Sequence, residues 1–296
     1  MLNFKTLLQL GLLLLAAGLG AGKAWLDEQL QLAARNMVAQ FAADARIQYQ
    51  NLYMSLPMNA VMQGVHIQAT QGQDFFIKRI TLYQLHQLGH TQSIPDKLHL
   101  YFEGVQLAGK DLFPPLLKTA LKASGYGAYL PDKLPSAKTL HLNIEIQTQI
   151  EAKTGTAQAQ IQVDSPQLGV MQATLQWQGI NFQQFSIVDV RWQHATVDYQ
   201  AGSLFADIFK QLALQQQQTV PTIQTQLIQQ VAKGIRGSLD KPSQQALLQW
   251  LKNPTKISLE IQPEPAISIN QLLYTMPHQW AKQLGLSIRS KAAADK

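Results

Sequence analysis

The run LHLNIEIQTQIEAKTGTAQAQIQV, residues 140–163, decides the fold. Leu140, Leu142, Ile144, Ile146 and Ile150 take one parity, while His141, Asn143, Glu145, Gln147 and Gln149 take the other. After Thr154-Gly155 the rule returns, with Ala157, Ala159, Ile161 and Val163 alternating with Gln158, Gln160 and Gln162. Successive side chains of a strand point to opposite sides of the sheet, so this period of two describes strands with one buried and one wet face. Thr154-Gly155 between them is a tight-turn signal. Asp164-Ser165-Pro166 through Gly169 marks the next turn, 170–178 a third strand and 187–199 a fourth. In the fourth, Val188, Val190 and Trp192 alternate with Asp189, Arg191 and Gln193. Residues 139–200 are expected as about four antiparallel strands.

Towards the N-terminus the same reading gives strands at 47–56, 64–70, 75–85 and 98–107. Asp111, Pro114-Pro115 and the apolar set Leu116, Leu117, Ala120 and Leu121 predict a short helix ending near Gly125. Two Gly and two Pro make 125–135 a loop and the expected boundary between two lobes. Beyond Gly202 the period becomes helical: Leu204, Phe205, Ile208, Phe209 and Leu212 share one stripe, Ile223, Leu227, Val231 and Ile235 another. Pro221 falls between the two. Asp240 and Pro242 announce a third helix, with Ala246, Leu247, Trp250 and Leu251 facing inward and Asn253-Pro254 ending it. A strand at 257–261, its resumption at 267–269 and a helix at 277–286 complete the pattern. The expected class is α+β, a mostly antiparallel sheet with C-terminal helices packed on it.

Between Lys5 and Lys23 no charge interrupts the chain, and Leu7, Leu8, Leu10, Leu12, Leu13, Leu14, Leu15 and Leu19 crowd this segment. A cleaved signal peptide and a membrane anchor both begin this way. Trp25 stands where an interfacial aromatic would. Leu26, Leu30, Ala33, Met37 and Phe41 then continue a helical stripe with no Gly or Pro between Trp25 and Ala45. These flanks favour an uncleaved anchor at 1–25 and a helical stalk at 26–45. An exported domain then fills 46–288 and a disordered tail 289–296. The basic N-terminus stays in the cytoplasm of a bacterial inner membrane, and membrane lipids are the first expected partner.

Cysteine is absent, so there is no thiol nucleophile, thiolate ligand or disulfide. The net charge of +6 comes from 24 basic and 18 acidic residues, scattered without the basic stripe that nucleic acid would require. Glutamine, 43 residues, outnumbers all charged residues together and serves mainly as a neutral surface residue on the strands.

The segments Gly22-Lys23, Ile47-Gln48-Tyr49, Gly64-Val65-His66-Ile67 and Ile77-Lys78-Arg79-Ile80-Thr81-Leu82 resemble the start of the YdgA-like proteins. Leu247 to Pro254, Pro263-Glu264-Pro265 and Leu284-Gly285-Leu286-Ser287-Ile288 resemble their closing helix, strand and tail. The resemblance implies an inner-membrane anchor, a β-rich periplasmic part distantly similar to AsmA-type proteins, and a role in the envelope. It carries no catalytic residues, and this chain is shorter than typical members.

Several chemistries are excluded by spacing. Gly18 to Lys23 imitates a phosphate loop, but Ala17 and Ala24 occupy positions that the pattern gives to Gly and to Ser or Thr. His86 and His90 lack a neighbouring Glu and a third ligand. No G-x-S-x-G elbow exists, and the acids form no pair. The expectation is therefore a non-enzymatic protein without cofactor or metal, which binds rather than transforms and handles lipid or acts as a scaffold. The alternative is an assembly partner of an envelope complex without a small ligand; an exported hydrolase stands third. Phe205, Phe209, Leu212 and Trp250 are the candidates for an apolar groove, although helices covering a sheet require such stripes anyway.

Overall fold

The computed structural model describes residues 31, 45–55, 59–69, 74–83, 96–108, 139–151, 153–179, 190–268, 271 and 277–291. The chain divides into two compact units, residues 1–112 with 139–150, and residues 113–138 with 151–296. Antiparallel sheet dominates both, and helices cluster late in the second: the class is α+β.

In the first unit, β1 (Ala45–Gln48), β3 (Asn59–Ala69), β4 (Asp74–Leu82), β5 (Lys97–Ala108) and β6 (Thr139–Glu151) pair antiparallel in that order. β2 (Asn51–Ser55) lies beside the first half of β3. The alternation of β6 is regular, and Leu140, Leu142 and Ile146 are buried. In β5 the buried positions are even before Gly104 (Leu98, Leu100, Phe102) and odd after it (Val105). Gly104 adopts φ +62°, Glu103 and Gly104 together oppose Asn143, and the Gly104 N–H donates to Asn143 Oδ1 at 2.8 Å. This bulge resets the parity, so Val105 and Phe102 both join the face of Leu142 and Ile144.

Gly64, at φ +60°, lies inside β3, where the most deeply buried positions change from even (Ala60, Met62) to odd (Val65, Ile67) without any shift of register against β4. The expected strand 64–70 therefore begins earlier, at Asn59, because the glycine lies inside the strand rather than at its start. Opposite it the expected strand 47–56 is broken into β1 and β2. Gln50, exposed, lies between them and donates its N–H to Gln63 O at 2.9 Å.

In the second unit, β7 (Thr156–Ser165), β8 (Gly169–Gln178), β9 (Arg191–Ala201), β10 (Lys256–Ile261) and β12 (Ser287–Lys291) pair antiparallel in that order, and β11 (Ile267–Ser268) pairs β9. Before β7, the Thr154 N–H donates to Glu151 O at 3.2 Å and Gly155 takes φ +65°, a turn where Thr154-Gly155 led one to expect it. Three helices intervene, α1 (Leu204–Gln216), α2 (Val220–Gly234) and α3 (Lys241–Lys252), and α4 (Pro277–Gln283) precedes β12. Thr219 and Asp240 cap α2 and α3, each accepting a backbone N–H three residues on. Pro221 and Pro242 sit in the first turns, where a missing N–H costs nothing.

β12 corrects the expected tail. Arg289, Ser290 and Lys291 pair with Ser258, Ile257 and Lys256, so the sheet extends into the segment expected to be disordered from 289. Ser243, 1 % exposed, adds a staple from α3: its Oγ accepts the Ile288 N–H at 2.9 Å.

Among the described residues no helix is long and apolar enough to cross a membrane. Residues 1–25, and all of the expected stalk except Gln31 and Ala45, lie outside the described residues, as do the expected helix and lobe boundary at 111–135.

Candidate functional site

The sheet of the second unit has two chemically opposite faces. Register places Ala159 against Leu175 and Leu175 against Ala195; the next row is Ile161, Ala173, Val197 and Leu259. On the other face Gln158 meets Gln176, Gln162 meets Gln172, and Thr174 meets Thr196. The glutamines of the sequence thus form cross-strand pairs on one surface, and the aliphatics form a continuous sheet on the other.

A second bulge extends the apolar face. Trp192 pairs Trp177 while His194 pairs Gln176, so Gln193 is the extra residue in β9. Simple alternation would separate Trp192 from Ala195, Val197 and Tyr199. The bulge puts all four on one side. Trp177 and Trp192 meet edge to face, with ring centroids 5.9 Å apart. The alanines Ala159, Ala173 and Ala195 are buried, whereas Ile161, Val163, Leu175, Trp177, Trp192 and Val197 are only partly so. Alanines thus alternate with larger side chains along a track across the face.

Among the described residues, the helices pack on one end of this face. Trp250, Leu251, Ile257 and Ile288 form a core cluster that takes in Tyr199, Phe205, Ala246, Leu247 and Leu259. The track residues Ile161, Leu175, Trp177, Trp192 and Val197 lie outside that cluster.

The four predicted groove residues fall into two groups. Phe209 and Leu212 are buried together with Ala213 and Ile223 where α1 meets α2. Phe205 and Trp250 touch edge to face at 5.1 Å, and Tyr199 lies 6.1 Å from the Trp250 ring. Phe205 packs against both clusters and links them. Burial pushes the Tyr199 phenol above its ordinary value, and its hydroxyl donates to Leu168 O at 2.5 Å. The Trp250 Nε1–H is buried and finds no acceptor among the described residues. The predicted anchor residues Leu7, Leu8, Leu10, Leu12, Leu13, Leu14, Leu15, Leu19 and Trp25 lie outside the described residues, as do His86 and His90. Trp177 and Trp192, which frame the track, were not among the predicted candidates. Their signal was the parity change within 187–199, even at Val190 and Trp192 and odd from Ala195 onward.

Charged groups gather on the non-core face of the first unit. Glu103 accepts from Lys78 and lies 3.4 Å from Arg79 Nη1, and the hydrogen bond from Lys78 holds its carboxyl below the ordinary 4.5. Glu145 accepts from Gln147 at 2.9 Å and meets His99 Nε2 at 2.7 Å, and these bonds lower it likewise. No group of three His, Cys, Asp or Glu able to hold a metal occurs among the described residues.

A depressed carboxylate stabilises the fold above its unfolded value and loses that contribution as pH falls through the folded value. Resistance to urea should therefore be constant from neutral pH down to about 4.5 as far as these groups are concerned, then decline below it. The double variant Glu103→Gln, Glu145→Gln is expected to show a shallower decline. An unchanged slope would mean that these bonds contribute nothing.

A family model described as "Uncharacterized protein" matches residues 139–291, just over half of the chain. The chain belongs to that family. The match runs from the first residue of β6 to the last of β12, and so contains the whole apolar face and the helices that cover its end. No curated protein matches the chain.

Proposed function

We propose that this is a YdgA-like envelope protein, held in the bacterial inner membrane by residues 1–25 on a helical stalk at 26–45, whose second unit binds the acyl chain of a lipid. The observation that carries the reading is the partly exposed apolar face of β7 to β9, with its alanine track between Trp177–Trp192 and Tyr199. From Trp192 to Tyr199 a strand advances about 20 Å at about 3.3 Å per residue. One leaflet of a bilayer offers acyl chains of about half of the ~30 Å hydrocarbon core. The track is therefore long enough for one chain. A soluble sheet with no such ligand would be expected to cover this surface or carry polar residues on it. The uncharged run from Thr6 to Gly22 supports placement beside a source of lipid.

Native mass spectrometry of the full chain, extracted in mild detergent, tests this. A phospholipid-sized adduct is expected. Ile161→Glu, which puts a charge on the track, should reduce the adduct at least tenfold. Gln160→Glu, one residue along and on the opposite face, should leave it intact. A clean apo mass, or equal retention by both variants, would sink the lipid reading and favour an assembly partner without a small ligand.

A further inference from the structure

The first unit carries a second surface of quite different chemistry. Its apolar core face holds Ile67, Ile77, Val105 and Leu142. On the reverse, register aligns Gln48 with His66, His66 with Phe76, and Phe76 with Gln106. Phe76 is 37 % exposed there, although burying a phenylalanine ring is worth a few kcal/mol. Tyr53 is exposed to the same extent and accepts from Gln63 Nε2 at 3.1 Å.

These side chains border an open depression of about 850 Å³ whose lining includes Gln48, Tyr49, Gln50, His66 and Phe76, together with Ile47 and Gly64. A smaller one of about 370 Å³ adjoins it, sharing Tyr49 and Gln50 and reaching Asn51 and Tyr53. Together they follow the broken strand β1–β2 from Phe76 towards Tyr53. Gly64, without a side chain, makes room for this. A Cβ on Gly64 would stand 2.4 Å from Gln50 Cδ, so the Gln50 side chain lies across the glycine and floors the groove.

The lining chemistry is selective. Among the described residues no Lys or Arg lines the groove, and the guanidinium of neighbouring Arg46 is engaged by the Gln48 amide oxygen at 3.1 Å rather than presented to it. Its one nearby acid, Asp74, sits 3.4 Å from His66. What it does contain are carboxamides, each offering donors and an acceptor on one planar group, and partly exposed aromatic rings. A hydroxyl is also donor and acceptor at once, and the C–H face of a sugar ring stacks on an aromatic surface. The depression is open, without the enclosed apolar pockets that select side chains in a bound peptide strand.

We infer that this groove binds a neutral oligosaccharide, with Phe76 as the stacking platform and the amides of Gln48 and Gln50 reading hydroxyl or acetamido groups. The inference rests on the first unit alone and is independent of the lipid reading.

Isothermal titration of the detergent-solubilised full chain with chitotetraose and with cellotetraose tests it. At least one sugar should bind with a dissociation constant of millimolar or tighter. Phe76→Ala should weaken it at least tenfold and Gln50→Ala should weaken it measurably, both with the parent's thermal unfolding profile. Leu214→Ala, at a side chain 74 % exposed in the second unit, should leave binding unchanged. The inference is overturned if neither sugar binds at millimolar concentration, if Phe76→Ala binds as the parent does, or if hexaglycine binds in place of the sugars.

Discussion

Gly169→Ala is expected to lower the melting temperature by on the order of 10 °C, from a destabilisation of roughly 4 kcal/mol. Gly169 opens β8 at φ +102°, where an L side chain is strained whatever the space. Space is also lacking: a Cβ would stand 1.9 Å from Gln200 O and 2.5 Å from the Gly202 nitrogen. Both are backbone atoms of the chain leaving β9, so no side chain can swing aside. The same few residues turn the sheet into helix. The Gly202 N–H donates to Leu168 O at 3.0 Å, the Leu204 N–H donates to Gln167 O at 2.9 Å, and Tyr199 closes on Leu168. Displacing the turn therefore disturbs the start of α1 as well. Gly237 is the control. It also has positive φ, at +81°, but a Cβ there meets nothing within 4 Å, so Gly237→Ala should cost only the conformational term of about 1–2 kcal/mol. Thermal denaturation of the two variants separates strain from collision. Equal losses would refute the close approach at Gly169.

Trp250→Ala is the second large effect, with an expected cost of about 3–5 kcal/mol. The ring is 8 % exposed and touches Phe205 and Tyr199 from α1 and β9, so its loss opens a cavity at the joint of three elements. Trp250→Phe should behave otherwise. It retains most of the contact and removes an indole N–H that has no acceptor among the described residues. Relief of an unpaired buried donor, worth about 1–3 kcal/mol, offsets much of the lost ring volume. A net change within about 1 kcal/mol is expected by urea denaturation. If Trp250→Phe proved as damaging as Trp250→Ala, the indole N–H would have to be paired after all.

Much of the second unit was legible along the chain. The alternation of 156–163, the turn signal at Thr154-Gly155 and the helix start at Asp240-Pro242 each depend on residues a few positions apart, and each stands in the structure where it was expected. Irregularities inside the strands were harder to read. Gly64 looked like the beginning of a strand because glycine usually punctuates one, yet it lies within β3 and flips its parity. In β9 the aromatic track needed Gln193 to be extra. The parity change was visible, but the partner strand that shows which residue bulges is fifteen positions away. β12 left almost no local trace, since Ser287 to Lys291 offers only Ile288 as an apolar residue. It is a strand because β10 lies alongside and Ser243 holds its backbone.

The groove candidates divide on the same line. Helical spacing placed Phe205, Phe209, Leu212 and Trp250 on inward stripes but could not say what each would meet. Packing consumes Phe209 and Leu212 against Ile223, and Phe205 and Trp250 against each other and Tyr199. By itself, the sequence determined the local period of the chain, and with it the strands, the helices and the wet or apolar character of each face. That period follows from backbone geometry within a few residues. The tertiary structure alone decided which strands pair, where a bulge turns one face into another, and which apolar side chains find a partner. Those outcomes depend on burial against residues distant in the sequence, which no local pattern encodes.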